Sequence, residues 1–273
     1  MTPARFAYAR PATLAEALAT LAREGEGAAP LAGGQSLMPM MAMRVARPAL
    51  LLDLNRLPGL DGIAVEAESL RIGALARHAS VLAHPLVAAE APLLKLALAE
   101  VAHPAIRNRG TLGGSLALAD PAAELPACMV ALEATILLAS VGGERRVAAA
   151  AFFQGLYATA RRADELLVGV EIPRRPGWTP WFAEVARRRG DYAMAGLALN
   201  AGGGAVRLAF CGVEAAPRRL PEIEAALAAG RDAAALLPGL LEPLGAAETP
   251  AVYRLHLAQT LLRRATEALH AAA

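Results

Sequence analysis

The sequence predicts an α+β fold in more than one unit, on three observations. Hydrophobic residues make up 56% and charged residues 19%, a balance that builds a substantial core and excludes a disordered chain. Helical and strand periodicities both occur, without regular strand–helix alternation and without an internal repeat. The 273 residues exceed one average domain, and the stretch Ile172-Pro173-Arg174-Arg175-Pro176-Gly177-Trp178-Thr179-Pro180 marks a boundary near Pro176. The expected division is 1–176 followed by 177–273.

The elements follow in order. Thr13 and Glu16 make a capping box for a helix through Leu14, Leu18 and Leu21, which Gly25 stops. Ser36 is placed to cap a helix over 37–44, with Pro39 in its first turn. Leu50–Leu54 and Ser69–Leu75 read as strands, and Pro85–His103 is apolar at helical intervals. A hairpin is expected from Ala134–Val141 and Arg146–Phe153 about Gly142-Gly143, then a strand over Leu166–Ile172. Beyond the boundary, Trp181–Arg187, Gly196–Ala201 and Ala205–Val213 predict three strands, the last two joined across Gly202-Gly203-Gly204. Helices are expected over Pro221–Ala229 and after Thr249, with Pro250 in the first helical position.

Several functions are excluded. A net charge of +2 with scattered arginines is no nucleic-acid footprint. The pairs Arg145-Arg146, Arg161-Arg162 and Arg174-Arg175 and the triple Arg187-Arg188-Arg189 read as solvated or subunit-facing surface. No run of about 18 apolar residues predicts a membrane span. Met1–Arg10 lacks the apolar core of a signal peptide, so a cytoplasmic location is expected. Cys128 and Cys211 are too few and too far apart for a zinc site or an iron–sulfur cluster, and read as core residues. His78, His84, His103 and His270 have no metal-ligand spacing and read as structural. Gly34-Gln35-Ser36-Leu37-Met38 and Gly113-Gly114-Ser115-Leu116-Ala117 each lack the final glycine of a hydrolase nucleophile elbow, which leaves His256 without a catalytic partner.

Chemistry concentrates at two double glycines, Ala32-Gly33-Gly34-Gln35-Ser36 and Thr111-Leu112-Gly113-Gly114-Ser115. A diphosphate needs close backbone N–H groups, which a missing Cβ leaves open to approach. A single Gly-Gly pair fits an ordinary tight turn; two, each followed by helix-compatible sequence, point to a dinucleotide. Neither G-x-G-x-x-G nor G-K-[ST] is present, so a Rossmann or P-loop site is not supported.

The stretches P-L-A-G-G-Q-S-L-M-P-M-M (Pro30–Met41), H-P-A-I-R-N-R-G-T-L-G-G-S-L-A-L-A-D-P-A-A-E-L-P (His103–Pro126) and A-R-R-R-G-D-Y-A (Ala186–Ala193) resemble, in order and spacing, motifs of the flavoprotein medium subunits of molybdenum hydroxylases, the carbon monoxide dehydrogenase and xanthine dehydrogenase family. The resemblance covers essentially the whole chain. It implies a PCMH-type FAD-binding domain in two parts, about 1–57 and 58–176, and a smaller C-terminal α+β domain with a three-stranded sheet and helices. It implies FAD held by Ala32, Gly33, Gly34, Gln35, Ser36, Thr111, Gly113, Gly114 and Ser115, with Glu124, Leu167 and Tyr192 near the flavin. It also implies a large molybdopterin subunit and a small [2Fe-2S] subunit as partners, in a dimer of heterotrimers. This chain would then relay electrons and carry no substrate acid, base or nucleophile. Leu118, where the family often has histidine, and Ala183, where some members have lysine, depart from the pattern and bear on flavin potential or acceptor contacts. Two other readings stay open at this point, a self-contained flavin-dependent oxidoreductase and a flavin-free structural subunit.

Overall fold

The computed structural model describes residues 2–272. A small parallel sheet opens the chain, in the order β1 (Ala7–Ala9), β3 (Leu50–Asp53), β2 (Ala28–Leu31). Helix α1 (Leu14–Glu24) follows β1, and the short α2 (Leu37–Ala42) follows β2. The capping box forms with a one-residue offset: Thr13 Oγ1 accepts from the Glu16 amide at 3.2 Å, while the Glu16 carboxylate accepts from the Ala12 amide at 2.8 Å.

Next come β4 (Ile63–Glu66) and β5 (Ser69–Gly73). A helical run follows: α3 (His78–Ala83), α4 (Pro85–Glu90), α5 (Pro92–Glu100), α6 (Pro104–Arg107), α7 (Leu112–Leu118) and α8 (Glu124–Ala131). The continuous helix expected over 85–103 is two, because Pro92 has no amide to continue α4 and instead opens α5 at its first turn. Strands β6 (Thr135–Ser140) and β7 (Gly143–Ala148), helix α9 (Ala149–Phe152), the small β8 (Phe153–Gly155) and β9 (Ala158–Thr159) pair, and β10 (Leu166–Pro173) complete this part. The hairpin turn is Val141-Gly142, since Ser140 pairs with Gly143, and its return strand ends at Ala148, five residues before the expected Phe153.

The antiparallel sheet β4-β5-β10-β6-β7 is covered on both faces. Leu137, Ala139, Leu166 and Val168 pack toward α1 and the first sheet, while Ile136, Leu138, Val170 and Ile172 pack toward the helical run. A bulge between Leu167 and Gly169 reverses the alternation of β10, so that Leu167 and Val170 face the same core.

A third sheet, β11 (Thr179–Val185), β12 (Ala195–Gly202) and β13 (Ala205–Cys211), is antiparallel. Its Gly203-Gly204 hairpin has both residues at positive φ. One face, through Leu197, Leu199, Leu208 and Phe210, packs on α10 (Pro221–Ala228) and α11 (Ala251–Ala272). The other carries Ala198, Ala209 and Cys211 against α8, so the core of the second sheet continues into the third. Thr249 does not cap α11: its amide and carbonyl pair with Ala246, and the helix starts at Ala251 with Pro250 just outside.

Most of the paired arginines stay partly solvated, as expected, and several of them are also tied to carboxylates of this chain. Arg145 and Arg162 grip Glu165, which is 1% exposed, while Arg146 meets Glu171 and Arg174 meets Glu90. Glu133, held in the left-handed region, draws in Arg175, Arg207 and Arg219. Arg175 also lies 4.4 Å over the Trp178 ring. This half-buried carboxylate joins the second sheet, the proline-rich connection and the third sheet. Removing one member of such a network strands its partners. Glu133→Ala is therefore expected to lower unfolding free energy by about 1–3 kcal/mol, against below about 0.5 kcal/mol for Glu24→Ala at an exposed pair. Chemical denaturation of the two variants checks this, and equal losses would contradict it.

Candidate functional site

A cleft of about 660 Å³ opens where the three sheets meet. Every site residue named from the sequence lines it: Ala32 to Ser36, Thr111, Gly113, Gly114, Ser115, Glu124, Leu167 and Tyr192. Leu118 also lines it, whereas Ala183 packs in the C-terminal core. Tyr192 is 71% exposed, so it is not a core tyrosine.

The two glycine loops do different work. In the second, every amide from Leu112 to Ser115 already has an internal acceptor. Leu112 donates to the Ala76 carbonyl at 3.0 Å, Gly113 to Ala74 at 2.8 Å, Gly114 to Thr111 Oγ1 at 3.1 Å and Ser115 to the Thr111 carbonyl at 3.1 Å. These glycines allow close packing instead. A Cβ on Gly113 would lie 2.6 Å from that of Ala74, and one on Gly114 would lie 2.8 Å from the capping Thr111 hydroxyl. The expectation of open amides in both loops is thus corrected for the second.

The first loop keeps its donors. Among the described residues no acceptor within the chain takes the amides of Gly33, Gly34, Gln35 or Ser36. Gly34 sits at φ 71°, the left-handed turn that fans successive N–H groups into one concavity. The Gln35 side chain ties back to the Gly33 carbonyl at 2.9 Å. Ser36 makes no side-chain cap, contrary to expectation; the turn is closed instead by Met38 donating to the Gly34 carbonyl at 3.2 Å, and α2 stops at Ala42, short of Arg44.

The loops touch each other. A Cβ on Gly33 would collide with the Arg109 carbonyl and the Gly110 Cα. Two side chains that the sequence reading missed hold this contact. Asn55 donates to the Ala32 carbonyl at 2.9 Å and to Asp53 at 2.6 Å; Asp53 in turn accepts from the Tyr8 hydroxyl at 2.5 Å. Arg77 donates to Asn55 at 2.6 Å and to the Arg109 carbonyl. Nothing local in the sequence marks Asn55 or Arg77 as site residues, because the loop carbonyls they bind, at Ala32 and Arg109, lie more than twenty positions away.

His78, read as structural, does line the cleft; both ring nitrogens are buried without a hydrogen-bond partner, and burial pushes its pKa down to about 4. It is therefore neutral. At the mouth, the Tyr157 hydroxyl reaches Asp120 at 3.3 Å, and the Asp120–Pro121 turn is anchored by the Gly212 amide on the Pro121 carbonyl at 2.7 Å. Glu124, 8% exposed at the start of α8, has its carboxyl raised to about 8, mainly by burial and then by the neighbouring Glu184, Asp120 and Glu100.

The cleft fits FAD by its donor set, since free amides on a left-handed turn suit a diphosphate while Leu54, Leu75 and Leu167 offer apolar wall. The family described as the FAD binding domain in molybdopterin dehydrogenase matches residues 4–175, and the CO dehydrogenase flavoprotein C-terminal domain matches residues 181–269. This chain is a flavoprotein subunit of the molybdenum hydroxylase family. The flavoprotein is 36% identical to the carbon monoxide dehydrogenase medium chain of Afipia carboxidovorans, over 98% of this chain and 97% of that one. It is 38% identical to the nicotine 6-hydroxylase medium subunit of Paenarthrobacter nicotinovorans, over 94% of each. Among solved structures, it matches reconstituted CO dehydrogenase from Oligotropha carboxidovorans with a TM-score of 0.91 at 36% identity, covering 97% of both chains. Quinoline 2-oxidoreductase from Pseudomonas putida 86 matches with a TM-score of 0.88 at 39% identity, covering 97% of this chain and 96% of that one. The flavoprotein is an oxidoreductase subunit whose cofactor is FAD.

The electrostatics of Glu124 predict a pH dependence. Between the ordinary value of 4.5 and about 8, the folded chain holds a proton that the unfolded chain releases. Stability therefore falls as pH rises through that window and levels off above it. Glu124→Gln has no such proton. Denaturant titrations should show the variant gaining on the wild type from about pH 5 to about pH 8, and parallel profiles would contradict the assigned environment.

Proposed function

We propose that this chain is the electron-relay subunit of a molybdenum-containing hydroxylase, taking electrons from [2Fe-2S] clusters on a small subunit and passing them through FAD to an external acceptor. Two cysteines cannot hold a [2Fe-2S] cluster, so the clusters belong on a partner. A large molybdopterin subunit oxidises the primary substrate, and the assembly is a dimer of heterotrimers in the cytoplasm. The relatives named as medium chain or subunit support this division of labour. No helix among the described residues is long and apolar enough to cross a membrane.

The observation that carries the reading is the set of four unpaired amides from Gly33 to Ser36 inside the cleft. They hold the diphosphate; Thr111 and Ser115 frame the opposite wall, and Glu124, Leu167 and Tyr192 lie toward the flavin. Residues 1–176 form the FAD-binding domain, in parts of about 1–57 and 58–176, and 177–273 close the cleft with the Gly190–Tyr192 loop. FAD supplies exchange of electrons singly and in pairs. The protein's part is to orient it and to limit water.

Gly33→Ala forces the loops apart at the Arg109 carbonyl, whereas Gly27→Ala meets nothing within 4 Å. FAD titration of the purified heteromer should show at least about tenfold weaker binding for Gly33→Ala, about 1.4 kcal/mol, and no change for Gly27→Ala. Unaltered affinity in Gly33→Ala would count against the loop assignment, and absence of flavin from the wild type would overturn the function.

A further inference from the structure

Most buried carboxylates of this chain have partners. Glu165 has Arg145 and Arg162, Glu224 has Arg219, and Asp53 has Tyr8 and Asn55. Glu124 and Glu184 differ: among the described residues neither forms an ion pair, the Glu124 carboxyl has only its own backbone amide, and Glu184 Oε2 is buried without any partner.

Glu124 lines the cleft, and Glu184 lies on the face of the third sheet that α8 covers. Glu184 on β11 pairs in register with Gly196 on β12, which pairs with Cys211 on β13. A Cβ on Gly196 would lie 2.5 Å from Cys211 Sγ and 3.2 Å from Glu184 Cβ, so Glu184 and Cys211 flank one glycine gap on the same sheet face. Helix α8 packs on that face with Cys128 buried, one turn beyond Glu124. Glu124 lines the cleft, and Glu100, at the end of α5 against β11, is half-buried with Arg189 at 4.0 Å.

The charged groups facing Glu124 are Glu184, Asp120 and Glu100, and the group facing Glu184 is Glu100, all acidic. Burial and these like charges keep Glu124 protonated to about 8 and Glu184 to about 7. An acid held neutral in this way has a proton to give at neutral pH.

We propose that Glu124 is the proton donor to the occupant of the cleft, and that Glu184 and Glu100 form the path by which its proton is restored from solvent. The inference rests on FAD being that occupant. Two-electron reduction of FAD takes two electrons from a one-electron donor on the partner subunit and one proton from Glu124, which becomes a carboxylate. Glu184 then passes its proton to Glu124 and recovers one through Glu100 from water. Glu124 meets the cofactor; Glu184 acts through Glu124 and is a positioning residue.

Time-resolved infrared spectroscopy of the heteromer after rapid reduction tests this at about pH 6.5, below the value of about 8 for Glu124. Wild type should show a transient bleach of the carbonyl stretch of a protonated carboxylic acid, which recovers as the proton is restored. Glu124→Gln should lose that band with FAD still bound, and Glu184→Gln should shift it and slow its recovery. Proton uptake from solvent on reduction, followed by stopped flow with a pH indicator, should keep its amplitude and slow in Glu124→Gln; equal rates in the two proteins would contradict the relay. If flavin bands appear without a carboxylic acid band, or with the same band in Glu124→Gln, the relay is wrong while the flavin assignment stands. If no flavin bands appear in wild type, both fall.

Discussion

The contact between the two glycine loops is the constraint on which the site depends. Gly33 rests on the Arg109 carbonyl with no room for a side chain, and Arg77 and Asn55 bind the carbonyls on both sides of that contact. These bonds face solvent, so each is worth about 0.5–1.5 kcal/mol, and the strap acts through their number and the lack of room at Gly33. The strap reaches through Asp53 to Tyr8 on the first strand, so three segments distant in sequence fix one loop. Once the loop is fixed, its four amides have no acceptor among the described residues, and an anion is the natural partner for them.

The rest of the fold serves to bring walls to that floor. The middle sheet, covered on both faces, sets α7 and α8 along one side, and the bulge in β10 turns Leu167 into the cleft. The third sheet leans its small residues on α8, which lets its Gly190–Tyr192 loop reach the mouth. A polar floor, an apolar wall and an exposed aromatic at the rim together match a long ligand with one charged and one flat end.

Much of this was legible in the sequence, and the reasons for the remainder are physical. Strand alternation and the Gly-Gly hairpin placed the C-terminal sheet, and the long motifs named residues that do converge on one cleft. Local pattern failed where a second rule competed. Pro92 divided an apolar helical run, and the backbone of Gly34 replaced Ser36 in closing its turn. The double glycines looked equivalent as strings yet differ in what they do: in the second loop Thr111 takes the amides of Gly114 and Ser115 locally, while those of Leu112 and Gly113 go to Ala76 and Ala74, some forty residues away in sequence. Asn55, Arg77 and Glu184 acquire meaning only through partners that the fold supplies.

The most direct measurement of the central claim is competition for the FAD site in the purified heteromer by the two halves of the cofactor. If the free amides of Gly33–Ser36 dominate binding through the diphosphate, ADP displaces FAD and riboflavin does so far less effectively. Displacement by riboflavin with no effect of ADP would show that the ring carries the affinity and would contradict the account.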